Sequence, residues 1–282
     1  MQIAIIGAGN IGSSLAQNFV QKSFNVTLID KLPKALNNAK DNIFQSIRLG
    51  NLFSKIKYDA TEMIENIEFT CDIDKISSID FVIESITESI KEKENLYRQI
   101  NNISIKNKIV ASNTSCIPIT QIASWVDYPE SIIGIHFMNP VPQIDTVEVI
   151  ISQYTSTKTI SKIENILNML DKKFIIIKDF PGFISNRISH LMINEAAYIF
   201  QDQYVEAKQI DTIFKQCYGH KMGPLETADL IGLDTIENTL NLLYAYYNED
   251  KFKCCPVISE MVSKGYYGKK VGKGFYNYLR SE

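Results

Sequence analysis

The chain has 282 residues, 45% of them hydrophobic and 22% charged, enough for one large and one smaller domain, each with a buried core. A net charge of −3, with no basic cluster beyond short lysine pairs, offers nothing to nucleic acid or to an anionic membrane surface. No apolar run reaches the ~18 residues that span a bilayer, and Met1-Gln2-Ile3 leads straight into an apolar segment without a charged leader, so a cytoplasmic protein is expected.

Ile3-Ala4-Ile5-Ile6 reads as a buried strand and Gly7-Ala8-Gly9-Asn10-Ile11-Gly12 as a tight turn. Ile11, Leu15, Ala16, Phe19 and Val20 then recur at helical spacing. A G-x-G-x-x-G loop between strand and helix suits a dinucleotide: the first glycine permits the turn, the second lets a pyrophosphate approach the backbone, and the third lets helix and strand pack closely. The helix N-terminus then faces the phosphates. Val26-Thr27-Leu28-Ile29 is a second strand ending in Asp30, at the ~20-residue offset of a carboxylate that binds a ribose 2′-hydroxyl. A carboxylate there repels a 2′-phosphate, so NAD is expected rather than NADP. A glycine turn followed by an unrelated acid would not account for the strands and helix around it.

Residues 33–66 carry helix-type residues with few breakers and read as one or two helices. Phe69 to Ile73 and Phe81-Val82-Ile83 read as short strands, the second ending in Glu84. Ile90 to Ile103 is amphipathic, with Glu92, Lys93 and Glu94 on its solvated face. Ile109-Val110-Ala111 is a strand that ends in Ser112-Asn113-Thr114-Ser115. Ile132 to Ile135 is another, and Asn139-Pro140-Val141-Pro142 breaks the chain after it, so His136 stands at a strand mouth. The next strand, Val147 to Ile151, contains Glu148, a carboxylate that is costly to bury without a partner. His136 is the candidate partner, because a carboxylate on one ring nitrogen fixes the tautomer and raises the basicity of the other. A structural histidine and an unrelated surface glutamate is the alternative these two residues alone leave open.

Ile160 to Leu170 is helical and Phe174 to Ile177 is one more strand. Strands alternating with helices imply an α/β fold with a parallel, doubly wound Rossmann-type sheet. Ligands of such sheets lie beyond the carboxyl ends of the strands, where Gly7, Asp30, Glu84, Ser115 and His136 all fall. Asp179-Phe180-Pro181-Gly182 breaks the pattern, which divides the chain into an NAD-binding domain, 1–180, and a smaller all-helical domain, 181–282. Ile184, Ile188, Leu191, Met192 and Ala196 form one long apolar stripe there, and Leu225 to Tyr247 another. Stripes so broad are expected to bury part of their surface against a second copy, giving a homodimer built through this domain. His190 reads as a packed core histidine, and His220 lies in a loop. Five cysteines without a C-x-x-C pair argue against a disulfide framework or a zinc site, and no metal is expected.

With these motifs stand Pro181-Gly182-Phe183-Ile184-Ser185-Asn186-Arg187, Met222-Gly223-Pro224-Leu225, Asp229-Leu230-Ile231-Gly232-Leu233-Asp234 and Gly272-Lys273-Gly274-Phe275-Tyr276. The whole set resembles the 3-hydroxyacyl-CoA dehydrogenases, most of all the short-chain 3-hydroxybutyryl type. The resemblance implies NAD-dependent interconversion of a short-chain 3-hydroxyacyl thioester and its 3-oxoacyl counterpart. It implies His136 as general base, Glu148 as the group that orients it, and Ser115 and Asn186 as holders of the substrate oxygens. Because Asn186 comes from the second domain, the site would close between the two. Matching cofactor positions are Gly7, Gly9, Asn10, Ile11, Gly12, Asp30, Glu88, Lys93, Ser115 and Asn139.

The chain also departs from that family. Cys116 and Pro118 follow Ser115 where close relatives more often carry a serine and another residue. Relatives place several lysines against the CoA phosphates in the stretch 46–57, whereas this chain offers Arg48, Lys55 and Lys57. An acyl-carrier-protein thioester is therefore an alternative to acyl-CoA. A serine hydrolase built on Ser115, His136 and Glu148 lacks the G-x-S-x-G elbow and leaves Asp30 idle. A catalytically silent NAD-binding relative would have no use for Ser115, His136, Glu148 and Asn186 together.

Overall fold

The computed structural model describes residues 2–53, 56–103 and 108–278. The chain divides into two units, Met1–Phe180 and Pro181–Glu282.

In the first unit, strands and helices alternate. The chain forms β1 (Gln2–Ile6), α1 (Asn10–Val20), β2 (Asn25–Ile29), α2 (Pro33–Phe53), α3 (Ala60–Glu65), β3 (Ile67–Thr70) and β4 (Phe81–Glu84). It continues through α4 (Ile90–Asn102), β5 (Ile109–Ser112), α5 (Ile119–Ala123), β6 (Ile132–His136), β7 (Thr146–Ile151), α6 (Thr157–Met169) and β8 (Lys173–Lys178). All eight strands lie in one sheet of order β3-β2-β1-β4-β5-β6-β7-β8. Strands β4, β5 and β6 are buried along their whole length, as apolar strands covered by helices on both faces must be.

The alternating pattern predicts a wholly parallel sheet, and the sheet departs from it at β7. β7 runs antiparallel to β6, and β8 is parallel to β7. Only residues 137–145 join β6 to β7, and they hold two prolines and no helix, so the chain has no crossover and can only turn back. Between β7 and β8, α6 supplies the crossover.

Two helices over residues 33–66 fall within the expectation, while one strand boundary and the place of Lys93 differ from the sequence pattern, each for a visible reason. Residues 33–66 form two helices because Asn51 clamps the backbone of Tyr58, donating to its carbonyl (2.8 Å) and accepting from its N–H (3.0 Å), while Asp59 caps α3 through the N–H groups of Thr61 and Glu62. The strand expected over Phe69 to Ile73 lies at Ile67–Thr70, because Asp72 accepts from the N–H of Asp74 and starts a 3₁₀ turn at Ile73. Lys93 is not on the solvated face of α4 but fully buried, one and two turns before Tyr97 and Ile100 on the inward stripe.

The second unit is helical: α7 (Phe183–Gln201), α8 (Ala207–Cys217), α9 (Pro224–Ile231), α10 (Leu233–Tyr247) and α11 (Pro256–Ser263). Its core gathers Ile193, Ala228, Leu233, Ile236, Leu240 and Ile258. The buried face of α7 is Phe183, His190, Ile193, Ala196 and Ala197, so most of the expected stripe is the neighbouring face; Ile184 and Ile188 are 44% and 64% exposed. The expected stripe over Leu225 to Tyr247 breaks at Gly232, whose φ of +107° no other residue adopts easily. His190 is buried as expected, with Nδ1 3.0 Å from the carbonyl of Asn186.

Two buried aspartates fasten the C-terminal residues of this unit. Asp229 accepts from the N–H groups of Phe275 and Tyr276 (2.9 Å each) and from the Tyr278 hydroxyl (3.1 Å). Asp211 accepts from the N–H groups of Leu225 and Glu226 at the start of α9 and from the Tyr276 hydroxyl at 2.6 Å. All five cysteines are free, and burial pushes the Cys254 thiol up to about 11, away from the reactive thiolate. Among the described residues, no helix is long and apolar enough to cross a membrane.

Candidate active site

The glycine loop between β1 and α1 is shaped by close approach. Gly7 has φ +107°, and a Cβ there would lie 2.4 Å from the carbonyl oxygen of Ser85, at the end of the neighbouring β4; a Cβ at Gly12 would lie 1.8 Å from the carbonyl oxygen of Gly7. At Gly9, by contrast, a Cβ would meet nothing within 4 Å, so packing inside the protein does not require a glycine there. The space beside Gly9 is open to a group approaching from outside. Gly7, Gly9 and Asp30 share the wall of a cavity of about 600 Å³. Asp30 accepts from the N–H of Ala8 through one oxygen (2.8 Å) and from that of Leu32 through the other (2.9 Å), which fixes its carboxylate at the tip of β2. Its neighbour Lys31 pairs with Glu92 at 3.1 Å. Room for an adenosine and its pyrophosphate, bare backbone at Gly9 and a fixed carboxylate together suit NAD.

Asn10 and Ile11 open α1. Asn10 shares a smaller cavity of about 310 Å³ with Asn139 and Pro140, and the N–H of Val141 donates to Ser14 Oγ at 3.0 Å. That bond ties the loop after β6 to the first turns of α1.

His136 and Glu148 are register partners across β6 and β7, and His136 Nδ1 lies 2.9 Å from Glu148 Oε2. Both side chains are buried. Antiparallel strands put directly opposed side chains on the same face, about 5 Å apart at Cβ, which is the reach of an imidazole–carboxylate hydrogen bond. Just beyond the histidine, the N–H of Phe137 donates to Asn113 Oδ1 at 2.9 Å, so the loop after β5 holds the mouth of β6.

Ser115 lies in that same loop, half-buried, and its N–H donates to Glu88 Oε1 at 3.0 Å. Glu84 does not face a ligand, although it ends β4. It is fully buried and takes the Lys93 ammonium at 2.5 Å, the Ser112 hydroxyl at 2.6 Å and the N–H of Ile86 at 2.9 Å. Asn186 lies in the first turn of α7, in the second unit. Asn113 and Asp179, which accepts from the N–H groups of Ile119 and Thr120, hold neighbouring loops and carried no signal in the sequence beyond their place after a strand.

A cavity that offers a ribose its carboxylate, and a carboxylate-bound imidazole at the same end of the same sheet, are what hydride transfer to a nicotinamide dinucleotide requires, and the class is an NAD-dependent dehydrogenase. Two family models match: the 3-hydroxyacyl-CoA dehydrogenase NAD binding domain over residues 2–180 and the 3-hydroxyacyl-CoA dehydrogenase C-terminal domain over residues 182–278. A probable 3-hydroxybutyryl-CoA dehydrogenase of Deinococcus radiodurans is 40% identical over 280 residues, 99% of this chain and 100% of its own. A 3-hydroxybutyryl-CoA dehydrogenase of Clostridioides difficile is 32% identical over 99% of both chains. The crystal structure of (S)-3-hydroxybutyryl-CoA dehydrogenase from Ralstonia eutropha superposes with a TM-score of 0.89, at 34% identity over 99% of both chains. The chain belongs to the 3-hydroxyacyl-CoA dehydrogenase family.

The fixed carboxylate of Asp30 should make NADH the better cofactor by roughly 10²-fold in kcat/KM over NADPH, since a like charge set against the 2′-phosphate costs several kcal/mol. Asp30→Ala should narrow that ratio. Equal kcat/KM for the two cofactors in the unaltered enzyme would contradict the role of Asp30.

Proposed function

We propose that the enzyme interconverts a short-chain 3-hydroxyacyl thioester and its 3-oxoacyl form with the His136–Glu148 pair as its general base. The buried 2.9 Å contact between His136 Nδ1 and Glu148 Oε2 is the observation that carries this assignment. Glu148 accepts the Nδ1 proton, which leaves the lone pair on Nε2. Nε2 then takes the proton of the 3-hydroxyl during oxidation and returns it during reduction, while Glu148 offsets the imidazolium charge. Ser115, in the loop after β5, holds a substrate oxygen. Gly7, Gly9, Asn10, Ile11, Gly12 and Asp30 seat the dinucleotide. Bound NAD supplies the hydride acceptor.

His136→Gln and Glu148→Gln should each lower kcat by roughly 10²-fold or more, with NADH affinity nearly unchanged. Since the two residues act as a unit, the double variant should be little worse than the poorer single. Near-full turnover in either variant, followed as NADH oxidation with acetoacetyl-CoA, would contradict the assignment.

A second reading, an acyl-carrier-protein thioester in place of acyl-CoA, is favoured by the surroundings of α2. A cavity of about 880 Å³ there is lined by uncharged groups such as Gln17, Asn42, Gln45 and Asn51, and the cation on its wall among the described residues, Lys22, pairs with Asp171 at 2.5 Å. The Lys57 ammonium donates to the Asn51 carbonyl, and Arg48 lies 5.8 Å from the centre of the Phe44 ring. Lys55, the remaining expected cation, falls outside the described residues. Exposed ion pairs are worth up to ~1 kcal/mol each, so missing two or three weakens CoA binding by about one to two decades. Acetoacetyl-CoA should be turned over with a high KM, and the same acyl group on a carrier protein with a lower one; a low-micromolar KM for acetoacetyl-CoA would refute the weakening.

The second unit supports a homodimer. Ile184, Ile188 and Ile199 leave an apolar stripe of α7 at the surface of the single chain. Light scattering at micromolar concentration should give the mass of two chains, and the mass of one would reject the assembly.

A further inference from the structure

A tight two-residue turn sets the register of the strands it joins, but the segment 137–145 between β6 and β7 is too long to do so. Register matters more here than in an ordinary sheet. Three residue pairs, Gly134 with Ile150, Ile135 with Val149 and His136 with Glu148, align the two strands, and a slip of one residue turns Glu148 to the opposite face. Pairing with β8 aligns β7 on its other edge and leaves its register against β6 open. The length of chain between His136 and Glu148 therefore needs an anchor outside the two strands.

Val141 is where that anchor holds. Its side chain is buried in the core of the first unit, in one cluster with Val147 and Val149. Its N–H donates to Ser14 Oγ at 3.0 Å, and its carbonyl accepts from the Lys172 ammonium at 2.6 Å. The same ammonium donates to the carbonyl of Ile144 at 2.7 Å. Between these two carbonyls the N–H groups of Gln143 and Ile144 close a turn on the Pro140 carbonyl, at 3.0 and 3.2 Å. Lys172 lies between α6 and β8, and the next residue, Lys173, donates its N–H to the carbonyl of Asp145 at 2.7 Å. The side chain is buried, 5% exposed, and burial pulls its ammonium below the usual lysine range; Asp145 opposes that shift and Lys22 adds to it. A cation kept there at a cost, with its donors on two carbonyls, makes the short, strong kind of hydrogen bond.

We propose that Lys172, with Ser14, is a positioning residue for proton transfer: by gripping Val141 and Ile144 it fixes the register of β7 against β6 and so holds Glu148 opposite His136. The proposal rests on the reading of His136 and Glu148 as the general-base pair. Lys172 and Ser14 act on that pair through the segment 137–145.

Two variants loosen the anchor from opposite sides. Lys172→Met keeps the length of the stem and removes the ammonium, and Ser14→Ala frees the N–H of Val141 without removing a buried charge. Each is compared with Glu148→Gln, and with the corresponding double variant, in acetoacetyl-CoA reduction at saturating NADH, while ¹⁵N NMR follows the ring nitrogens of His136. Since an error of ~1 Å in a catalytic group costs up to ~10²-fold, kcat should fall about 10-fold in Lys172→Met and about 3-fold in Ser14→Ala. KM for acetoacetyl-CoA should stay within about twofold. The ¹⁵N shifts of His136 should move in both variants towards those of Glu148→Gln. Neither variant should lower kcat further in the Glu148→Gln background, where the pair it positions is already broken. Ser14→Ala reads the same quantities even where Lys172→Met does not fold. A lower Tm with kcat and the His136 shifts unchanged would make the anchor one of stability alone and overturn the proposal. Losses that multiply with Glu148→Gln would overturn it by showing a route that bypasses the pair. Full activity in Glu148→Gln would refute the general-base reading itself, whereas His136 shifts that respond to Glu148→Gln and to neither anchor variant would refute the positioning alone.

Discussion

The hydrogen bond between His136 and Glu148 exists because the chain reverses after β6, and the proposed chemistry depends on that reversal. Six strands arrive parallel, each returned by a connection that carries it back to the same end of the sheet. A seventh strand delivered in the same way would approach His136 from a different register. The short segment 137–145, with prolines at 140 and 142, forbids the crossover, so β7 pairs antiparallel and sets Glu148 directly opposite His136. Both groups are buried, and neither would tolerate burial without the other.

The loops at the carboxyl ends of the strands are held by a common device, a side-chain acceptor that takes backbone N–H groups from a neighbouring loop. Asp30 takes Ala8, Asn113 takes Phe137, and Glu88 takes Ser115 and Cys116. Such loops cannot satisfy their own N–H groups through a sheet ladder, and an ionised or amide oxygen supplies strong bonds in their place. The result is a rigid rim around a sheet whose interior is apolar. Side chains aimed from that rim inherit its precision, which is what a site for hydride and proton transfer needs.

The sequence made the Rossmann-type half legible because its signals are local. β-branched runs marked most of the strands, the spacing of Gly7, Gly9 and Gly12 marked the loop, and Asp30 followed at the expected distance. Where a single acceptor decides, the pattern misplaced a boundary: Asp72 starts a 3₁₀ turn and ends one strand early. Lys93 reads as a solvated lysine until its spacing to Tyr97 and Ile100 is weighed, which puts it on the buried stripe of α4. Along α7 the exposed isoleucines outnumber the buried ones, so the apolar pattern pointed to the neighbouring face. The partners of Asp211 and Asp229 lie too far along the chain for spacing to reveal them.

At the centre of the account stands one imidazole, His136, with Nδ1 2.9 Å from Glu148 Oε2 and, in the proposed mechanism, the proton on that nitrogen. Histidine ¹⁵N NMR at neutral pH reads this directly from the separate shifts of the two ring nitrogens. The geometry predicts a protonated Nδ1 and an unprotonated Nε2 for His136, with that preference lost in Glu148→Ala. A proton on Nε2 in the unaltered protein, or a tautomer indifferent to Glu148→Ala, would contradict the pairing on which the proposed chemistry is built.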